Sequence, residues 1–89
     1  MNQYDTIVEK LKRQGHRLTA VRLALLKMMV ATERPQTAAQ LLEQLRRKLP
    51  RVHKTTLYRE LDFFSGEGIF RGVTFEDAVV RYEINKEHH

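Results

Sequence analysis

Thr55, Tyr58, Arg59 and Asp62 fall in one stretch, residues 54–65, whose apolar Leu57, Leu61 and Phe64 keep helical spacing. Counting about 100° per residue from Leu57 puts Tyr58, Asp62, Thr55 and Arg59 at about 100°, 140°, 160° and 200°, opposite the apolar stripe. On such a face an arginine can bond both acceptors of a guanine edge, and a tyrosine can touch a thymine methyl or a phosphate. Threonine hydroxyls near the helix start add small polar contacts. Thr55, Tyr58 and Arg59 are therefore candidate base readers. Arg51, Lys54 and Thr56, at and just before the helix start, are candidates for holding phosphates, where the positive end of the helix dipole also favours an anion. The bland alternatives are that Tyr58 packs on a neighbouring hairpin and that Arg59 pairs with Glu60 or Asp62.

A second cation that calls for an anion is Arg22. It stands four residues before Leu26 and seven before Met29, on an apolar stripe. Its stem must lie along apolar surface while the guanidinium emerges in the helix's first turn. The anion is either a phosphate or a carboxylate such as Glu60 or Asp62. Catalysis finds little support. The only serine, Ser65, sits beside Gly66 at a helix end, no carboxylate pair stands out, and the chain has no cysteine for a thiolate nucleophile, a thiolate zinc site or a disulfide. His16 and His53 lie in turns, where the ordinary role is a solvated side chain. The exposed helix also lacks the aromatic platform on which single-stranded RNA bases stack.

The elements that must position these groups can be read along the chain. Tyr4, Ile7, Val8 and Leu11 predict an amphipathic helix over residues 4–14, ended by Gly15. Thr19 is a candidate N-cap for a second helix to about Thr32, with Leu23, Leu26, Met29 and Val30 inward. Thr37 and Gln40 form a capping box for a third helix, through Leu41, Leu42, Leu45 and Leu49, which Pro50 stops. Arg46, Arg47 and Lys48 end this helix, where cations suit the dipole for structural reasons alone. The fourth helix carries the outward face, and Gly66 and Gly68 close it. From Ile69 the period becomes two, with Phe70, Val73 and Phe75 followed by Val80, Tyr82 and Ile84, which predicts a two-stranded hairpin. Residues 85–89 read as a frayed end.

Length and charge fit this reading. Eighty-nine residues with 42% apolar and 30% charged side chains suit one small folded domain with no room for a deep substrate cavity. Net charge is +5, unevenly spread: residues 1–59 hold thirteen basic and four acidic side chains, residues 60–89 three and seven. Such asymmetry suits a polyanionic partner. The N-terminus has neither a signal-peptide core nor a membrane span, so a cytoplasmic protein without membrane contact is expected. The fold class expected is α+β, mainly α: a winged helix-turn-helix of about four helices followed by a two-stranded β-hairpin wing, over residues 1–84.

Three stretches resemble the N-terminal DNA-binding domain of the ferric uptake regulator (Fur) family of metal-responsive transcriptional regulators. Gly15-His16-Arg17-Leu18-Thr19-Ala20-Val21-Arg22 is similar to the family's G-x-[KR]-x-T-x-x-R. Thr55-Thr56-Leu57-Tyr58-Arg59-Glu60-Leu61 is similar to A-T-[VL]-Y-R-x-L, and Arg81-Tyr82-Glu83 with the histidines after it forms the third. The resemblance implies a sequence-specific module for double-stranded DNA, from a metal-responsive repressor, with no enzymatic activity. It implies that Tyr58 and Arg59 read bases in a major groove, that Arg17 reaches toward a minor groove, and that Thr19 and Arg22 lie near the DNA backbone. It also implies a partial metal site at Glu83, His88 and His89, with iron, zinc or manganese bound by a full-length homodimer and no cofactor held by this segment alone. Two such modules would meet a palindromic operator, while the 89 residues by themselves would be a monomer or weak dimer. Residues 85–89 would begin the linker to a dimerisation and metal-binding domain, or be the stub of a tag. Ala20, where a helix-starting proline is common, and His53, where a capping serine is common, depart from the pattern and should weaken helix starts. Arg34 or Pro35 falls near where some members place a metal-binding histidine. The rival from another class is a winged helix acting as a protein-interaction adaptor, with Tyr58 and Arg59 as its hot spots.

Overall fold

The computed structural model describes residues 2–86 and places four helices ahead of a small antiparallel sheet. The first helix, α1 (Gln3–Arg13), starts where Asn2 accepts the Asp5 N–H through Oδ1 at 2.8 Å. It ends at Gly15, whose φ of +80° is open to glycine at no steric cost. The N–H groups of Gly15 and His16 bond back to Lys12 and Leu11, so two otherwise unpaired carbonyls are satisfied. Helix α2 (Ala20–Ala31) is capped by the Thr19 hydroxyl, which accepts from the Arg22 N–H at 3.1 Å.

The capping box expected at Thr37 and Gln40 is present in both directions and opens α3 (Ala38–Lys48). Helix α4 (Lys54–Gly66) begins at His53, which makes no side-chain capping bond, in line with the weakened start expected there. It runs one residue past the expected end. Gly66 is still helical, and the chain turns at Gly68 (φ +74°), with the same pair of backward bonds, Gly68 to Ser65 and Ile69 to Phe64.

The hairpin consists of β2 (Phe70–Thr74) and β3 (Val80–Ile84), paired antiparallel with Gly72 opposite Tyr82. A two-residue strand, β1 (Gln36–Thr37), pairs with the other edge of β3 and places Gln36 opposite Tyr82. The sheet is therefore three-stranded, in the order β1-β3-β2, where the sequence pointed to two strands. Two residues cannot display a period of two, and the pairing spans more than forty positions, so no local pattern announces β1. It anchors the hairpin to the start of α3. Asn85, expected to fray, is tied down by its N–H to the Ile69 carbonyl at 2.8 Å and its side chain to the Gly68 carbonyl at 3.2 Å.

The core gathers Ile7 and Leu11 from α1, Leu25, Leu26 and Met29 from α2, Leu41 and Leu45 from α3, and Leu57, Leu61 and Phe64 from α4. Val52, Ile69 and Phe70 close it, and Phe64 stacks on Phe70 with ring centroids 4.3 Å apart. The stripe of α2 differs from the expected one: Leu25 is fully buried, and Leu23 is half-buried. Because α2 is apolar on almost every side, spacing alone could not select its inner face. With Leu57, Leu61 and Phe64 locked inside, the opposite face of α4 must point outward. No helix among the described residues is long and apolar enough to cross a membrane.

Candidate nucleic-acid interface

Thr55, Tyr58, Arg59 and Asp62 are all exposed, and the Tyr58 side chain belongs to a residue that is 40% accessible. Of the two bland alternatives, the ion pair is absent: no ion pair among the described residues involves Arg59, and Glu60 is taken by Arg22. Tyr58 is a rim residue, exposed to solvent on one side and a neighbour of Tyr82 on the hairpin on the other. Lys54 stands at the helix start with Nζ 5.9 Å from the centre of the Tyr58 ring, at the outer range of a cation–π contact. Arg51 is exposed in the turn before the helix, and Thr56 is half-buried, lining an apolar hollow with Val21, Leu49 and Val52. Arg17 and Thr19 are exposed in the loop between α1 and α2. The Thr19 oxygen serves the helix cap as acceptor and keeps its own O–H free to donate.

Arg22 is where the structure departs from the expected backbone contact. Its Nε–H donates to Glu60 Oε1 at 2.7 Å and Nη2 to Oε2 at 3.3 Å, while Nη1 donates to the Arg17 carbonyl at 2.9 Å. The guanidinium also lies 3.7 Å from the centre of the Phe63 ring. With side chains only 15% and 13% accessible, Arg22 and Glu60 satisfy each other, so the carboxylate alternative holds and Arg22 is not presented to a phosphate. Its role is to fix the loop bearing Arg17 against α4. His16, expected to be merely solvated, joins the same cluster: it meets Phe63 edge-on at 4.9 Å, and its Nε2 is 3.3 Å from Glu67. Phe63 and Glu67 lie more than forty residues from these partners, too far for any spacing rule to link them.

The remaining basic side chains divide into used and free. Arg46 Nε donates to the Val52 carbonyl at 3.0 Å and staples the last turn of α3 to the approach of α4, a structural role beyond the dipole interaction expected for its cluster. Arg47 sits 3.6 Å from Glu43 at the surface. On the wing, Arg71 pairs with Glu83, and Arg81 with Asp77. The wing's two arginines are thus neutralised, and its outer end exposes Phe75, Val79 and Val80. Exposed cations outside any ion pair include Arg13, Lys27, Arg34 and Lys48 as well as Arg17, Arg51, Lys54 and Arg59, and of these Arg51, Lys54 and Arg59 stand around the start and outer face of α4. Tyr82 brings the wing up to this face. Burial, then the neighbouring Tyr58 and Asp62, push its ionisation above the ordinary tyrosine value, so its hydroxyl stays protonated at neutral pH.

The metal-site residues named from the sequence are only partly in view. Glu83 is held by Arg71, and His88 and His89 lie outside the described residues. Among the described residues no group of three or more histidine or acidic side chains is arranged to hold a metal ion.

Known proteins share both sequence and architecture with this chain. The peroxide-responsive repressor PerR of Staphylococcus epidermidis is 25% identical over 88 residues, which cover 99% of this chain and 59% of that protein. A PerR structure from Streptococcus pyogenes, described in terms of peroxide sensing and gene regulation, superposes with a TM-score of 0.88 at 21% identity, covering 94% of this chain and 58% of that one. The Helicobacter pylori ferric uptake regulator Fur, described as having three functional metal-binding sites, superposes with a TM-score of 0.85 at 18% identity over 99% and 61% of the two chains. The chain therefore spans about three-fifths of the length of these relatives, and its fold is the winged helix-turn-helix expected. Residues 13–89 match the profile of the ferric uptake regulator family, and the chain belongs to that family.

Proposed function

We propose that this chain is the module with which a metal-responsive transcriptional repressor reads double-stranded DNA. The observation that carries the reading is Arg59, exposed beside Tyr58 on the outer face of α4 and left without a carboxylate partner among the described residues. Tyr58, Arg59 and Thr55 read base edges in the major groove, Lys54, Arg51 and Thr56 hold the flanking phosphates, and Arg17 with Thr19 reaches the adjacent backbone or minor groove. Arg22 acts through Arg17 by holding its loop. The work is recognition, with no reaction catalysed.

The family supports the remainder of the reading: a cytoplasmic, full-length homodimer that binds iron, zinc or manganese and sets two modules on a palindromic operator, with half-sites about 34 Å apart on one face of the duplex. A metal site using Glu83, His88 and His89 would draw on a Glu83 carboxylate that already bonds Arg71 through Oε2, and needs further ligands from outside these residues, since divalent ions take about four to six. Residues 85–89 would then lead toward that second domain. Alone, the 89 residues bind as a monomer or weak dimer and lose the roughly 100-fold or greater gain that a linked second module supplies.

The test is the affinity for a labelled duplex between 50 and 200 mM salt. Engagement of three phosphates predicts a loss of about 40-fold over that range. A flat profile, with Arg59→Ala and Lys54→Ala both without effect at low salt, would instead support a protein-binding adaptor.

A further inference from the structure

Asp62 is the single acidic side chain on the face that carries Thr55, Tyr58 and Arg59. It is exposed, and no cation among the described residues pairs with it. Arg59, one turn earlier and on the same side of the helix, is within ordinary reach for an i,i+3 pair, yet no such bond forms. The other carboxylate of this turn, Glu60, is consumed by Arg22. Asp62 is therefore an unpaired carboxylate three residues from Arg59 and beside Tyr82 of the wing. There it weakens any uniform attraction for phosphates and favours a hydrogen-bond donor over an acceptor.

We propose that Asp62 is a specificity residue that selects cytosine, an inference resting on the DNA-reading function above. The four exposed positions have the spacing i, i+3, i+4, i+7, which is the spacing by which homeodomain recognition helices reach bases from the major groove. From Thr55 to Asp62 the helix rises about 10.5 Å, about three base-pair steps of duplex. Asp62 thus meets a base of its own, one or two steps from the one under Arg59. In the major groove cytosine offers its N4 amino donor with no acceptor on the same base, adenine sets the N7 acceptor beside its amino group, and guanine and thymine offer acceptors that repel a carboxylate. An aspartate consequently favours cytosine and disfavours guanine most.

The experiment is selection and sequencing from a random-core duplex library at about 50 mM salt, using the 89-residue chain and its Arg59→Ala, Asp62→Ala and Asp62→Asn variants. Arg59→Ala locates the guanine position. One or two base pairs away, the wild type should prefer cytosine by about tenfold or more. Asp62→Ala should remove that preference while leaving the other positions unchanged, which also reports an intact fold. Asp62→Asn should move the preference to adenine, whose N6 and N7 suit a carboxamide, a switch that a structural role does not produce. Unchanged preferences in both Asp62 variants, or a uniform weakening at every position, would overturn the inference and leave the DNA-reading function standing. If the wild type selects no sequence, that function fails and the role of Asp62 falls with it.

Discussion

Arg22 and Glu60 form a two-point ion pair between the first turn of α2 and the middle of α4, at 2.7 and 3.3 Å. Both side chains are largely shielded from water, and the same guanidinium holds the Arg17 carbonyl. Removing either partner leaves a shielded charge without its counter-ion, at a cost of about 1–3 kcal/mol. Glu60→Gln and Arg22→Gln should each lower stability by that amount, read from the urea midpoint. The double variant should lose less than the sum of the two, a coupling that a double-mutant cycle measures. Additive losses would show that the pair does not act as a unit.

Arg59 and Lys54 should fail in different ways. Arg59→Ala should relax preference at a guanine position by about 1–3 kcal/mol. Lys54→Ala should weaken every sequence alike and make the slope of log affinity against log salt shallower by about 1. Equilibrium binding to two duplexes that differ at one base pair, each measured over a salt series, separates the two effects. Loss of base preference in Lys54→Ala would reverse the two roles.

Asp77 accepts from both Arg81 and the Val79 N–H, and these hydrogen bonds, that of Arg81 first, hold its carboxyl below the ordinary aspartate value of 3.8. Because the folded value is the lower one, the stabilisation of the wing turn is complete above the unfolded value. It is lost as pH falls through the folded one. A carboxyl-carbon NMR titration should therefore place the Asp77 midpoint below 3.8, and Arg81→Ala should move it back up. An unshifted midpoint in the wild type would contradict the bond from Arg81.

Ala78 turns the hairpin with φ at +61°, a left-handed conformation that costs a residue with a Cβ about 1–2 kcal/mol. Glycine relieves that strain and gives back part of the gain through its freer unfolded chain. Ala78→Gly should raise stability by roughly 0.5–1 kcal/mol, seen as an increase of several degrees in Tm. A decrease would mean that Ala78 does not hold a left-handed turn in solution.

What the sequence revealed depended on distance along the chain. The Thr37–Gln40 capping box and the outward set Thr55, Tyr58 and Arg59 were legible because each is fixed by helical geometry within a few residues. The partner of Arg22 stayed open between a phosphate and a carboxylate, since Glu60 lies 38 residues away and only tertiary packing brings it close. The Phe63 ring under Arg22, the contact of His16 with Glu67 and the pairing of β1 with β3 were hidden for the same reason. The wing's two ion pairs are cross-strand or turn contacts whose register depends on where the hairpin bends.

Whether the outer face of α4 is the surface that meets DNA is tested most directly by titrating the isotopically labelled 89-residue chain with duplex DNA at about 50 mM salt and following its backbone amides by NMR. The largest shifts should fall on Thr55, Tyr58, Arg59 and the loop of Arg17, with Phe75, Val79 and Val80 at the wing's outer end little changed. Shifts centred on that apolar end, with Tyr58 and Arg59 unmoved, would contradict it.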